Sequence, residues 1–192
     1  LFPNHVIEDG GLRKQNLTKE NNNENPLISI ITVVLNGEKF LEESIKSLHS
    51  QKFKNFEHII IDGGSKDGTI EIIKKYSSKI DYWCQVNDKG IYDAFNLGMK
   101  LARGQYIGFL NSDDVYTPEA FQLLNNYIKK YPKIDFIFGS VKKHWGVLHG
   151  YKPYKIYWSW GFYSSHSTGF FIKRNSAKLV GLYNLKYKYS SD

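Results

Sequence analysis

Two adjacent carboxylates, Asp113 and Asp114, follow a short apolar run from Tyr106 to Leu110, with Asn111 and Ser112 between. Like charges this close repel, and burial raises the pKa of each unless donors or a cation compensate them. A divalent cation does so, and the carboxyl end of a strand in an open α/β sheet is where ligands bind. Taken alone, a solvated turn leading into the next helix accounts for the same residues, since Asp and Ser favour turns. Other segments carry the argument further. Asn36-Gly37, Asp62-Gly63-Gly64-Ser65 and Asn87-Asp88-Lys89-Gly90 each close an apolar run in the same way. Polar tips with glycines that permit close backbone approach point to a bound polar ligand. No G-x-x-x-x-G-K-[ST] or G-x-G-x-x-G follows the first strand, and no His/Cys cluster has zinc spacing. Carboxylates with a hard cation, Mg²⁺ or Mn²⁺ on the phosphates of a nucleotide, fit these loops better.

The elements that must hold these loops read clearly. Leu27 to Leu35 is β-branched and nearly all apolar, the pattern of a central strand covered on both faces. Glu38 to Ser50 shows Leu41, Ile45 and Leu48 on one side and Glu42, Glu43 and Lys46 on the other, an amphipathic helix. The unit then repeats: strands over 56–61, 80–86 and 106–110, and helices after Thr69 and over 91–102. Thr117-Pro118-Glu119 predicts an N-cap with proline at the first helical position, opening a helix to about Lys130. Asp135 to Gly139 reads as a fifth strand, Ser167 to Lys173 as a late one, and Asn175 to Val180 as a short helix. Strands alternating with helices predict βαβ units, an α/β fold with a mainly parallel central sheet flanked by helices. The alternation stops after Ser140, where an irregular aromatic and basic part follows.

The chain has 192 residues, 41% of them hydrophobic, enough for one sizeable core. Residues 1–25 are polar and without period, an expected arm or linker, and 26–192 are expected as one domain. No apolar run could span a bilayer, and the single cysteine, Cys84, is expected as a buried thiol, which together suggest a cytoplasmic protein. Charge is uneven. Residues 1–141 carry a net −1 and residues 142–192 a net +8, with Asp192 the only acid in the latter. That basic part also holds Trp145, Trp158 and Trp160, a combination suited to a phosphate-rich partner such as an anionic membrane surface or a lipid- or nucleotide-linked substrate.

Residues 26–192 resemble the family 2 glycosyltransferases, whose fold is the GT-A nucleotide-diphospho-sugar fold. The resemblance runs through S-I-I-T-V-V-L-N, L-E-E-S-I-K-S-L-H-S-Q, F-E-H-I-I-I-D-G-G-S-K-D-G-T, D-K-G-I-Y-D-A-F-N-L-G and A-R-G-Q-Y-I-G-F-L-N-S-D-D. It is closest to bacterial members that build surface polysaccharides. It implies an inverting, metal-dependent transfer of a sugar from a nucleotide-diphosphate donor, a UDP-sugar, to a hydroxyl of a saccharide or lipid-linked acceptor. Residues 26–115 would form the nucleotide-binding half, and 116–192 the acceptor side of a C-terminally truncated domain. By resemblance Asp114 would bind Mn²⁺ or Mg²⁺, and Asp113 the ribose or the metal's water shell. Val33 would line the base with Asp62 beside it, although Gly63 stands where the family often has a second acid. Asp88, Lys89 and Asp93 would lie near the sugar-phosphate. Asp192, following Gly181-Leu182-Tyr183, would be the catalytic base.

Two other readings make distinct demands. A sugar nucleotidyltransferase is expected to carry a glycine- and arginine-rich first loop, and V-L-N-G-E-K lacks arginine. A non-catalytic polyanion- or membrane-binding module would bind in a salt-sensitive way, indifferent to Mn²⁺ and to Asp113 and Asp114. Nucleic acid is not expected as a partner.

Overall fold

The computed structural model describes residues 6–17, 25–87, 90–143, 146–148 and 167–186. Strands β2 (Ile28–Val34), β3 (Phe56–Asp62), β4 (Tyr82–Val86) and β5 (Tyr106–Asn111) are joined by helices α1 (Leu41–His49), α2 (Thr69–Lys75) and α3 (Ile91–Leu101). The β2–β3, β2–β5 and β3–β4 pairs are parallel, so these four strands end on one edge of the sheet, the carboxyl edge. Every residue of β2 and β3 is buried, the polar Ser29, Thr32, Glu57, His58 and Asp62 included. Alternate side chains serve opposite faces. Ile31, Val33, Ile59 and Ile61 join Ala94 and Phe95 of α3, while Ile28, Ile30, Val34 and Ile60 meet the inward stripes of the helices opposite. Those helices are α1, α2 and α4 (Ala120–Lys130). Cys84 is fully buried, and burial with the charges of Asp9 and Asp62 pushes its thiol up to about 12.

The flanks depart from the simple alternation. The sheet order is β1-β4-β3-β2-β5-β9-β6, with β1 (Val6–Gly10), β6 (Phe136–Phe138) and β9 (Phe170–Lys173) all paired antiparallel. The segment expected as a fifth strand is β6, which runs in the same direction as β5 but is separated from it by the antiparallel β9. A small hairpin of β7 (Val141–Lys143) and β8 (Gly146–Leu148) stands apart from this sheet, and α5 (Arg174–Val180) follows β9.

Residues 6–17 correct the expectation of a polar arm. β1 pairs with β4 from Val6↔Val86 to Gly10↔Trp83, and a 3₁₀ turn at Leu12–Gln15 follows. The Leu12 and Arg13 amides donate to the carbonyls of Ile80 and Asp81 at 3.0 and 2.9 Å. The Arg13 guanidinium pairs with Glu57, a carboxylate 3% exposed, and donates to the Leu101 carbonyl at 3.0 Å. Glu57 also accepts from Ser29 Oγ (2.5 Å) and from the Arg103 and Gly104 amides (2.6 and 3.2 Å). A polar strand at a sheet border needs only one apolar neighbour, so it lacks the periodicity that marks an inner strand.

The start of α4 is also corrected. The helix begins at Ala120, and Thr117 and Pro118 lie in the preceding turn. Buried Gln51 holds that turn: its Nε2 donates to the Ser47 and Thr117 carbonyls at 3.2 and 2.7 Å, and its Oε1 accepts from the Phe121 amide at 3.2 Å. The cap thus comes from a side chain 70 residues away.

Candidate nucleotide-binding edge

The exits of the four parallel strands lie against one another, those of β2 and β3 joined by hydrogen bonds. After β2, Asn36 adopts a left-handed conformation (φ 52°), its amide donating to Ser65 Oγ at 2.7 Å and its Oδ1 accepting from the Lys66 amide at 2.8 Å. The Gly37 amide donates to Thr69 Oγ1 at 2.9 Å, tying the same loop to the start of α2. On its other side Gly37 lies against Ser112, whose Oγ would stand 3.4 Å from a Cβ there. Gly64, at φ 90°, brings the β3 exit against Asn87 at the end of β4, whose Oδ1 would be 3.3 Å from a Cβ at that position. The four polar tips singled out in the sequence therefore share one edge, except that Asp88 and Lys89 lie outside the described residues.

Asn111 to Asp114 form a closed turn at the end of β5. The Asp114 amide donates to the Asn111 carbonyl at 3.1 Å, and Asn111 Nδ2 donates to Asp114 Oδ2 at 2.9 Å. The same oxygen accepts from the Thr168 hydroxyl, and Asn111 Nδ2 also reaches Ser167 Oγ at 3.1 Å. Asp114 is half-buried and oriented from two sides, while Asp113 at the turn's tip is exposed. Ser167 and Thr168 reach this place because β9 runs antiparallel to β5, so its amino end meets the carboxyl edge. The sequence reading placed them inside a strand and missed this role; the polar Ser-Thr pair ahead of F-F-I-K was the available signal.

Beneath the turn, the Tyr116 hydroxyl is shared between the Phe109 and Thr168 carbonyls at 3.2 and 3.1 Å. Burial, reinforced by the Asp114 charge, pushes its phenol above the ordinary value. It is a neutral donor at any physiological pH.

The remaining expected residues fall in different places. Val33 ends up in the core, 8% exposed, among Ile61, Val86 and Phe95, and Leu35 two positions on is the exposed apolar side chain at this exit. Asp62 is fully buried at the end of β3: its carboxylate accepts from the Ser65 amide (3.2 and 3.3 Å), the Ser65 hydroxyl and Gln85 Nε2 (2.7 Å). All these contacts are internal, so in this structure Asp62 shapes the Gly63–Ser65 loop and presents no charge to the edge. Asp93 is half-buried in the first turn of α3, its amide on the Gly90 carbonyl at 3.0 Å. Asp192 lies outside the described residues.

Gly181-Leu182-Tyr183 is anchored in a way the sequence did not announce. Asn96 of α3 donates from Nδ2 to the Tyr183 carbonyl (2.9 Å) and accepts at Oδ1 from its amide (2.8 Å). The Tyr183 ring stacks on Tyr92 at 5.2 Å and meets Phe95 and Phe109 at 5.8 and 6.2 Å. Asn96→Ala leaves both backbone groups of Tyr183 without these partners and is expected to destabilise the fold by about 1–3 kcal/mol. A urea titration checks this, and an unchanged midpoint would show that the clamp contributes nothing.

Among the described residues no three His, Cys, Asp or Glu side chains converge as a metal cluster. The carboxyl edge offers two adjacent carboxylates at Asp113 and Asp114. That donor set fits a hard cation that completes its shell with phosphate oxygens and water, as Mg²⁺ and Mn²⁺ do in nucleotide sites.

Comparison with known proteins places this architecture. The family model described as "Glycosyl transferase family 2" matches residues 29–181. An uncharacterized glycosyltransferase of Rickettsia typhi is 38% identical over 116 residues, covering 60% of this chain and 36% of that protein. The chain thus spans about a third of that relative's length. The crystal structure of S. aureus TarS 1-349 superposes with a TM-score of 0.70 at 21% identity, covering 85% of this chain and 52% of the other, and the same protein has been solved with UDP and with UDP-GlcNAc. The mannosyltransferase PcManGT from Pyrobaculum calidifontis, in complex with GDP-Man and Mn²⁺, superposes with a TM-score of 0.66 at 16% identity, covering 84% and 48%.

Proposed function

The chain belongs to glycosyl transferase family 2 and has the GT-A fold, and from that premise we propose that it moves a sugar from a nucleoside-diphosphate donor to a hydroxyl acceptor with inversion. The observation that carries the reading is the closed Asn111–Asp114 turn on the edge where the other strand exits converge. Donors held by solved structures of this fold support a nucleotide-sugar, with UDP the first candidate. Polysaccharide or glycolipid synthesis is the corresponding process.

Asp114, with Asp113, would hold Mn²⁺ or Mg²⁺. The bound cation would neutralise the charge that builds on the departing diphosphate. Asn111 and Thr168 keep Asp114 in one orientation before any ligand arrives, which lowers the cost of ordering it. Leu35, rather than Val33, is the side chain at the β2 exit exposed enough to meet the face of a base. Asp93, Asp88 and Lys89 would lie toward the sugar-phosphate. The acceptor oxygen attacks the anomeric carbon as the bond to the diphosphate breaks on the opposite side, and Asp192 takes the hydroxyl proton. The Asn96–Tyr183 clamp supports this assignment by anchoring the chain shortly before Asp192 on α3. The net +8 of residues 142–192 supports a saccharide or lipid-linked acceptor and a peripheral station on the cytoplasmic face of an anionic membrane. No helix among the described residues is long and apolar enough to cross a membrane.

A thermal-shift panel of nucleoside diphosphates and their sugars, with and without Mn²⁺, tests the reading. UDP with Mn²⁺ is expected to raise the melting temperature, and a panel with no response would reject the donor site. Asp192→Asn is expected to keep the donor response and lower transfer by about 10²- to 10⁴-fold. Full transfer in that variant would remove Asp192 from the mechanism. Thr168→Val removes the hydroxyl on Asp114 Oδ2 and is expected to weaken Mn²⁺ by about 10- to 100-fold, read from the Mn²⁺ dependence of the UDP response.

A further inference from the structure

The opposite edge of the sheet holds a cavity of about 400 Å³, where the chain enters β2, β3 and β5 and where β9 turns into α5. It lies one strand length from Asp113 and Asp114, roughly 20 Å, and shares no residue with that site. Among the described residues its wall carries three cations, Arg103, Lys173 and Arg174, amide side chains that include Asn55 and Gln105, and no acid. None of the three cations forms an ion pair among the described residues. Two described acids near it are committed elsewhere: Glu57 to Arg13, and Asp135 to the Ser176 hydroxyl at 2.6 Å. Arg174 is also held short of satisfaction. Its backbone is fixed by its amide on the Gln105 carbonyl at 2.8 Å and its guanidinium reaches the Ala102 carbonyl at 3.5 Å, yet Nε is buried with no hydrogen-bond partner among the described residues. Buried guanidinium donors are ordinarily paired, and an isolated one is stabilised by an incoming acceptor.

We infer that this cavity binds a phosphate monoester carried on a small polar body. Three positive charges with no ion pair among the described residues exceed what one carboxylate would balance, whereas a dianionic phosphate matches them and accepts several N–H bonds from arginine forks. The volume suits a group larger than the phosphate itself, and the wall amides suit its hydroxyls. The same headgroup chemistry is offered by a soluble phosphorylated metabolite and by a phosphomonoester lipid at a membrane surface.

The test uses the whole chain with glycerol 1-phosphate, inorganic phosphate, and vesicles of phosphatidylcholine with or without phosphatidic acid. Binding of glycerol 1-phosphate is measured by calorimetry and vesicle binding by co-sedimentation. Arg103→Gln with Arg174→Gln is expected to weaken binding at least tenfold, and Lys173→Gln alone severalfold. Circular dichroism verifies that each variant folds, and Lys173→Gln, on a partly exposed side chain, serves if the double variant does not. Asp114→Asn is expected to leave this binding unchanged, so failure of the donor-site reading and failure of this one are separable. Loss of the soluble ligand with no vesicle response assigns a metabolite, and phosphatidic acid-dependent sedimentation lost in the same variants assigns a lipid. No binding of any probe, or binding that survives the substitutions, would overturn the inference.

Discussion

Asp114→Ala is expected to lower sugar transfer by about three orders of magnitude and to abolish the Mn²⁺-dependent stabilisation by UDP. Two effects combine in that substitution. The carboxylate that would share a cation with the diphosphate is lost, and so is the acceptor that holds Asn111 and Thr168 together across the carboxyl edge. Asp114→Asn separates them, because an amide keeps an oxygen for Asn111 and Thr168 but carries no charge. If the charge is what matters, Asn and Ala are equally inactive while Asn melts close to the parent. At a UDP concentration 100 times its dissociation constant the parent gains about 2.7 kcal/mol, so loss of that gain is readily measured. Mn²⁺-dependent UDP stabilisation persisting in Asp114→Ala would place the cation elsewhere.

The largest effect on stability is expected from Glu57→Ala. The carboxylate is buried and joins Arg13 from the amino-terminal segment, Ser29 at the start of β2 and the Arg103–Gly104 backbone before β5. Removing it takes this acceptor from a mostly buried guanidinium and from three further donors, at a cost of about 3–5 kcal/mol. For a chain of this size that corresponds to a fall in melting temperature on the order of 10 °C. Scanning calorimetry of Glu57→Ala, Arg13→Ala and the double variant gives the coupling directly. Additive losses would mean that Arg13 and Glu57 do not stabilise one another.

Those two sites illustrate what could and could not be read from residues alone. β2, β3 and β5 were legible because strands covered on both faces are mostly apolar and β-branched, and the polar tips that end them mark where cover stops. The acidic turn was legible for the same reason. What supports it was not. Thr168 arrives at Asp114 from 54 positions away, on a strand whose direction depends on a pairing no local pattern specifies. Asn96 mimics a strand partner for Tyr183 across 87 positions, and a buried asparagine on a helix looks in sequence like any polar residue. Asp62 shows the converse. Its D-G-G-S setting marks the loop correctly, yet Gln85 on the neighbouring strand and Ser65 within the loop turn its carboxylate inward. Proline and threonine at 117–118 suggested a helix start, but Gln51 caps the helix from outside and moves its first turn to Ala120.

The pairing of β1 with β4 bears on how this protein can be handled. Val6 to Gly10 occupy the hydrogen-bonding groups that β4 would otherwise show to solvent, beside the large side chains of Tyr82 and Trp83. An open strand border of this kind recruits other chains. A shortened version starting at Pro26, the boundary that composition alone recommends, would therefore oligomerise or precipitate even though its inner strands are intact.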